Sequence, residues 1–178
     1  MGKIGKPAPV KLVIGFIYKE ELPLKKSSDI LKRYFGEVDF KSQALEFNLT
    51  SYYKEEMGQG LKRKFISFKK LILPQSLPKI KIISNKIETK FSIDKRRVIN
   101  IDPGYLDLAK LILATTKDYC HRIYINNGIY AEVTLTYQGK SFRPWDWTYP
   151  DYRTQEYIGI FNNIREIYSK QIQCTPHI

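Results

Sequence analysis

Pro9-Val10-Lys11-Leu12-Val13-Ile14-Gly15-Phe16-Ile17-Tyr18 is the stretch on which the reading of the chain turns. Apart from Lys11 it is apolar at odd and even positions alike, the pattern of a strand at the centre of a sheet with a layer on either side. Outward from it, Ser27 or Ser28 caps a short helix with Ile30, Leu31, Tyr34 and Phe35 on its apolar face, and Gly36 stops it. In Gln43-Ala44-Leu45-Glu46-Phe47-Asn48-Leu49-Thr50 the alternation of Leu45, Phe47 and Leu49 with polar neighbours reads as a half-buried strand. Gly58-Gln59-Gly60 precedes a further strand over residues 62–71. Pro74 and Pro78 flank the start of a helix carrying Ile80, Ile83, Ile87 and Phe91. The basic turn Asp94-Lys95-Arg96-Arg97 leads to a short strand over 98–101. That order, βαββαβ, predicts an α+β protein with a ferredoxin-like layer of helices on an antiparallel sheet.

Asp102-Pro103 carries the signature of a helix start, Asp as cap and Pro at the first position, and predicts a buried helix through Leu106, Ala109 and Leu113. Residues 119–125 and 129–137 read as strands joined by Asn127-Gly128, a strong hairpin signal. The segment from Phe142 to Tyr152 reads as an aromatic loop, and Thr154 caps a last helix bearing Tyr157, Phe161, Ile164 and Tyr168. The expected layout is one domain over 1–172: a basic βαββαβ part at 8–101, extended over 102–172 by a helix, a hairpin and a C-terminal helix. Residues 173–178 are expected to form a flexible tail.

The 178 residues carry a net charge of +12. Residues 1–100 hold 22 Lys and Arg against 10 Asp and Glu, whereas residues 101–178 hold 8 of each, so all of the excess lies in the first part. Such a field attracts anions, RNA and nucleotides among them. However, 22 of the 30 basic residues are Lys, and Arg is the better bidentate phosphate ligand; codon bias explains the excess equally well. No apolar run approaches the length of a membrane span and no secretory leader is recognisable. With two cysteines, Cys120 and Cys174, no disulfide framework is implied. The expectation is a cytoplasmic protein.

Several stretches together resemble a known family. They are Pro9-Val10-Lys11-Leu12, Tyr52-Tyr53-Lys54-Glu55-Glu56-Met57-Gly58, Asn100-Ile101-Asp102-Pro103-Gly104-Tyr105-Leu106, Ala114-Thr115-Thr116-Lys117-Asp118-Tyr119, His121-Arg122-Ile123-Tyr124, Gly128-Ile129-Tyr130-Ala131-Glu132-Val133-Thr134-Leu135 and Trp147-Thr148-Tyr149-Pro150-Asp151-Tyr152-Arg153. In this order they resemble the bacterial family described as domain of unknown function 4416, over nearly the whole chain up to Ile172. The resemblance implies a single-domain bacterial protein and brings no established activity. Some members carry the description "GTP-binding protein", yet this chain has no Gly-x-x-x-x-Gly-Lys-Ser/Thr loop, and Thr116-Lys117-Asp118 lacks the spacing of a guanine-reading loop.

The densest polar cluster lies between Asp102 and Arg153. A two-residue loop at Asn127-Gly128 pairs Ile125 with Tyr130, Ile123 with Glu132 and His121 with Thr134. His121, Glu132 and Thr134 then share a face, with Lys117 and Asp118 at the His121 end. A His, carboxylates and a Lys on one patch fit acid-base chemistry of a hydrolase or transferase, His121 as acid or base, Glu132 or Asp118 as its orienter and Lys117 on developing negative charge. A structural cross-strand pair explains the same residues. Arg63, Arg122, Arg143 and Arg153 are candidates to hold anionic groups, and Tyr149 and Tyr152 to stack a base or sugar. Equally, the aromatics of this segment pin a long loop to the core. Gly58-Gln59-Gly60 before Lys62-Arg63-Lys64 offers a weak phosphate cradle.

Two His and two Cys are too few for a structural zinc site, and the one plausible ligand interval, Cys174-Thr175-Pro176-His177, falls in the expected tail. A Mg²⁺ held by Asp102, Asp118 or Glu132 is the remaining cation reading. The sequence therefore leads to a pocket around His121 and Glu132 for a phosphorylated or nucleotide-like ligand, alone or within RNA. Its competitor is a non-catalytic basic module that docks on RNA or an acidic protein partner. Membrane association is not expected, and the sequence is silent on oligomeric state.

Overall fold

The computed structural model describes residues 2–50, 52–94 and 96–174. Its elements in chain order are β1 (Lys11–Tyr18), α1 (Glu21–Phe35), β2 (Val38–Lys41), β3 (Leu45–Glu46), α2 (Lys54–Met57), β4 (Lys62–Phe68), α3 (Leu77–Phe91), β5 (Ile99–Leu106), β6 (Lys110–Thr115), β7 (Arg122–Asn126), β8 (Ile129–Gln138), β9 (Ser141–Pro144) and α4 (Gln155–Gln173). Short 3₁₀ turns at Pro74–Ser76 and Pro150–Arg153 lead into α3 and α4.

All eight residues of β1 are buried, as an apolar run with two covered faces requires. It lies inside one nine-stranded antiparallel sheet of order β2-β4-β1-β5-β6-β8-β7, with β3 also on β4 and β9 on β8. Leu12, Ile14, Phe16 and Tyr18 face one way and pack with Leu24 and Leu31 of α1 and Ile80 and Ile87 of α3. Val13 faces the other way, with Phe65, Leu111 and Leu135, and is covered by Ile158, Phe161, Ile164 and Tyr168 of α4. Each such side chain contributes about 1.5–3 kcal/mol by leaving water, so the two clusters clamp the sheet from both sides. Thr154 caps α4 as its sequence predicts, its hydroxyl accepting from the Tyr157 N–H at 3.3 Å.

Several expectations are corrected. α1 starts at Glu21, six residues before the expected cap, and Ser27 is buried within it; the stripe Leu24, Ser27, Leu31 packs a helix through a segment whose Lys and Ser content reads as a loop. The strand expected over 43–50 is only Leu45–Glu46, and a strand not foreseen, Val38–Lys41, takes the sheet edge beside Phe68. Strand β4 ends at Phe68 rather than at 71. The helix expected from Asp102 to Leu113 does not exist: β5 and β6 form a hairpin there. Within the aromatic segment, β9 pairs with β8. α4 continues to Gln173, and residues 175–178, most of the expected tail, lie outside the described residues. Among the described residues no helix is long and apolar enough to cross a membrane.

The β7–β8 hairpin closes on Asn127 and Gly128, both at positive φ (52° and 72°), as a primed two-residue turn demands. Asn126 pairs with Ile129, but the register then shifts, and Tyr124 faces Tyr130, Ile123 faces Ala131 and Arg122 faces Glu132. The expected pairing is off by one because Ile125 forms a bulge. A one-residue slip exchanges the faces of a strand, and here it sets Arg122, not Ile123, opposite Glu132.

Candidate functional site

Asp102-Pro103-Gly104 builds the site. Gly104 lies opposite Leu113, and a Cβ on it would stand 2.3 Å from the Ile112 carbonyl oxygen, so only glycine lets β5 and β6 approach this closely. Moving back along β5, the next residue is Pro103, which has no N–H to give to a ladder, and pairing with β6 stops. Strand β5 stays on β1 while β6 runs on with β8, so the sheet forks. A cavity of about 400 Å³ occupies the fork. Asn100 and Asp102 line one wall, Leu113 to Lys117 the other; Phe47, Thr50, Tyr52 and Tyr53 close one side, and Asp151 and Tyr152 another.

Asp102 sits at the inner end. Its carboxylate accepts from Arg63 Nη1 at 3.2 Å and from Asn100 Nδ2 at 2.7 Å, and Lys81 Nζ lies 3.6 Å away. Burial pushes this carboxyl up, but the Lys81 and Arg63 cations and the Asn100 contact prevail and hold it below its ordinary value. Lys81 reaches the cavity from α3 on the opposite layer and donates to the Ile101 carbonyl at 3.1 Å. Arg63 is fully buried. Its guanidinium lies over the rings of Phe65 (4.9 Å) and Tyr152 (5.1 Å) and donates to the Tyr152 hydroxyl. Gly15 makes room for it: a Cβ there would meet Arg63 Nη2 at 3.1 Å. Arg97 is bidentate on Glu56, at 2.8 and 2.6 Å, and donates to Asn100 Oδ1 at 2.8 Å. Asp151 is also buried, and burial raises its carboxyl above its usual range despite the pull of Arg63. The three inner cations thus each face a carboxylate or a buried acid.

The outer end differs. Glu132 is buried and accepts from Arg122 Nε at 2.9 Å and from the Thr134 hydroxyl at 3.2 Å. Arg122 Nη2 donates to the Tyr149 hydroxyl at 2.9 Å and Nη1 to the Lys117 carbonyl at 3.2 Å. Burial works against the Arg122 charge, but its Glu132 and Tyr149 contacts outweigh that and raise its pKa. Lys117 is exposed at the cavity rim and donates to the Tyr52 hydroxyl at 2.6 Å; among the described residues no carboxylate pairs with it. Five cationic side chains and three carboxylates line the cavity, a formal excess of two positive charges.

Of the residues singled out in the sequence, Arg63, Asp102, Lys117, Arg122, Glu132, Tyr149 and Tyr152 line this cavity. His121 does not. Its Nε2 lies 3.2 Å from Glu132 Oε2, while its ring is held between Tyr119 (6.0 Å) and Trp147 (5.7 Å), with Trp145 stacked on Trp147 at 5.1 Å. Asp118 is exposed and faces the Tyr130 hydroxyl. Arg143 is exposed on β9. Arg153 donates to the Thr148 carbonyl at 2.6 Å and the Asp146 carbonyl at 2.5 Å, pinning the aromatic segment. Tyr152 is buried against Phe161, ring centroids 5.7 Å apart, whereas Tyr149 stays exposed. Sequence reading missed Lys81, Arg97, Asn100, Tyr52, Tyr53, Thr115 and Thr116. Lys81 had one local signal, a lysine inside an otherwise apolar helix face between Ile80 and Ile83.

As to metal, the Arg63 and Lys81 cations already compensate the Asp102 charge, and among the described residues no three His, Cys, Asp or Glu side chains group to hold an ion. The Cys174 to His177 interval extends outside the described residues.

Fold and cavity define an α+β protein whose forked antiparallel sheet encloses a polar, net-positive cleft. The chain belongs to the family described as Domain of unknown function (DUF4416), whose sequence profile matches residues 8–168. No match is found among curated proteins or among solved structures.

Proposed function

We propose that this protein binds a small phosphorylated, nucleotide-like ligand in the fork between β5 and β6. The carrying observation is the contrast between the two ends of the cavity. Inside, Arg63, Lys81 and Arg97 are all engaged, and what they leave for a ligand is the acceptor face of Asp102 among Tyr53, Phe47 and Tyr152. At the rim, Lys117 is held among the described residues by Tyr52, through its hydroxyl and its ring, with no carboxylate on it, beside Arg122 and the hydroxyls of Thr115, Thr116 and Tyr149. This polarity favours a ligand that enters body first, its hydroxyl or N–H donors toward Asp102, and leaves its phosphate on Lys117 and Arg122. About 400 Å³ suits one mononucleotide rather than a folded RNA. If the bound ligand is turned over, Glu132 and His121 are the acid-base pair nearest the rim. The order β2-β4-β1-β5, with α1 and α3 on one face, supports reading residues 11–106 as a ferredoxin-like unit.

The competing reading, a basic module docking on RNA or an acidic protein, is favoured by the +12 charge and its confinement to residues 1–100. A thermal-shift screen separates the two. The protein is tested against nucleoside monophosphates, sugar phosphates, short RNAs and Mg²⁺ at low and moderate salt. Stabilisation by one small phosphate ester that survives moderate salt is expected. Stabilisation by polyanions only, fading as salt rises, overturns the cavity reading and leaves the basic module.

A further inference from the structure

Resting on that reading of the cavity, we infer that the nucleotide held in the fork is the 3′-terminal residue of a single-stranded RNA, and that the base before it stacks on a flight of aromatic rings beside the rim. The flight starts at the rim itself. Arg122, which lines the cavity, lies over the Tyr119 ring at 4.4 Å. Tyr119 stacks on His121, His121 on Trp147 and Trp147 on Trp145, with interplanar angles of 25°, 15° and 6°. Their centroids are 6.0, 5.7 and 5.1 Å apart, so these nearly parallel rings are offset like steps. Part of each outer face is left to solvent: Tyr119 is 53 % exposed, Trp145 38 % and Trp147 39 %.

The segment that carries the tryptophans is fixed in this pose. The Trp145 backbone N–H donates to the Thr148 hydroxyl at 2.8 Å, and that hydroxyl, buried, donates to the Thr134 carbonyl at 2.6 Å. Trp147 Nε1 donates to the Val133 carbonyl at 3.0 Å. Flat faces already held in water lose little further freedom when a planar partner lands on them.

Three features select the occupant. The rings adjoin Lys117, which no carboxylate pairs among the described residues, and Arg143 is exposed two residues before Trp145. Flat faces beside free cations suit a partner that alternates rings with anions, a single strand of nucleic acid; a neutral sugar leaves the cations unused, and a duplex hides the faces of its bases. Next, the cavity of about 400 Å³ holds one nucleotide, and its inner end is taken up by Asp102 and the cations on it. A strand that enters therefore ends there. With its 5′-phosphate at the rim, that end is the 3′ one, and its free hydroxyl is a donor for Asp102. Last, Asp146 is exposed between the two tryptophans. A carboxylate there repels phosphate but accepts from a hydroxyl, and the ribose 2′-hydroxyl is the donor that every nucleotide of RNA has and DNA lacks.

Tryptophan fluorescence and isothermal titration on the full chain test this, because Trp145 and Trp147 are the two tryptophans of the sequence. The probes are a nucleoside 5′-monophosphate, a ribodinucleotide ending 3′ in that nucleotide, its deoxy and 3′-phosphorylated forms, and a glutamate-rich peptide. The dinucleotide is expected to change the emission and to bind about tenfold tighter than the monophosphate, the effect of one stacked base. The monophosphate should bind without changing the emission, and the deoxy and 3′-phosphorylated forms should bind more weakly. Trp145→Ala should bring the dinucleotide down to the affinity of the monophosphate and leave the monophosphate as it was; Trp145→Phe, which keeps a flat ring, should restore most of the difference. A monophosphate that binds, with a dinucleotide no tighter and no change in emission, overturns the inference and leaves the cavity reading standing. A monophosphate that does not bind overturns the cavity reading, and the inference with it. A deoxy form as tight as the ribo form overturns the choice of RNA, and an equally tight 3′-phosphorylated form overturns the strand end. A peptide that changes the emission as the dinucleotide does assigns the rings to an acidic protein instead.

Discussion

Asp102 shows how little a side chain reveals of its role until its neighbours are known. In the sequence it reads as a helix cap; in the fold it is the carboxylate on which Arg63, Asn100 and Lys81 converge. Its folded pKa is depressed, so it contributes stability that is present above its unfolded value of 3.8 and lost as pH falls through the folded one. Asp102→Asn is therefore expected to cost about 1.5–3 kcal/mol at pH 7, the range of hydrogen bonds to charged groups. That penalty should shrink toward zero at an acid pH below the depressed folded pKa, where the wild-type carboxyl is itself protonated. Urea denaturation at both pH values measures it; a penalty independent of pH would show that the negative charge is not what the cluster uses. Arg122 and Glu132 tell a complementary story. Both were candidates from the sequence, but their direct pairing was hidden by a bulge that no local signal announces.

Among the elements, the hairpin of β5 and β6 decides where the site lies. Asp-Pro is a favourable start for a helix, and residues 104–113 hold no charge beyond Asp107 and Lys110, so a buried helix was the locally consistent reading. Tertiary pairing with β1 along the whole of β5 overrides it. The same three residues then serve the sheet: Asp102 faces the cavity, Pro103 halts the ladder and Gly104 permits the close pass. Gly104→Ala should be destabilising by about 1–3 kcal/mol or more, since its methyl would meet backbone rather than a yielding side chain. Because the strain falls on the fork, ligand-induced stabilisation should fall with it; a neutral effect on Tm would contradict the close-pass account. Legibility followed the strength of the local signal. The β1 run, the Gly36 stop, the Asn-Gly turn and the Thr154 cap could all be read in advance. The short strands β2 and β9 could not, because edge strands of four residues carry too little periodicity.

For the molecule as a whole, sequence patterning located the cationic half and the polar cluster, but not that they meet in one fork. Arg63 on β4 and Lys81 on α3 come from the basic part, Lys117, Arg122 and Glu132 from the neutral part, and only the continuous sheet brings them to one cavity. Sequence separation of this kind leaves no local trace. It also explains why the global charge misleads as a guide to mechanism: Arg63, Lys81 and Arg97, the three buried or half-buried cations that line the cavity from the basic half, are balanced by Asp102, Glu88 and Glu56. What distinguishes the site is Lys117 at its rim, which no carboxylate compensates among the described residues. Isothermal titration of a nucleoside and its 5′-monophosphate against wild type and Lys117→Ala tests that claim most directly, using whichever base the screen selects. The wild type should prefer the monophosphate by about tenfold or more, which corresponds to about 1.4 kcal/mol, and Lys117→Ala should lose most of that preference while holding the nucleoside as before. Equal binding of the two compounds by the wild type, or an unchanged preference in the variant, would contradict a phosphate seat at the rim.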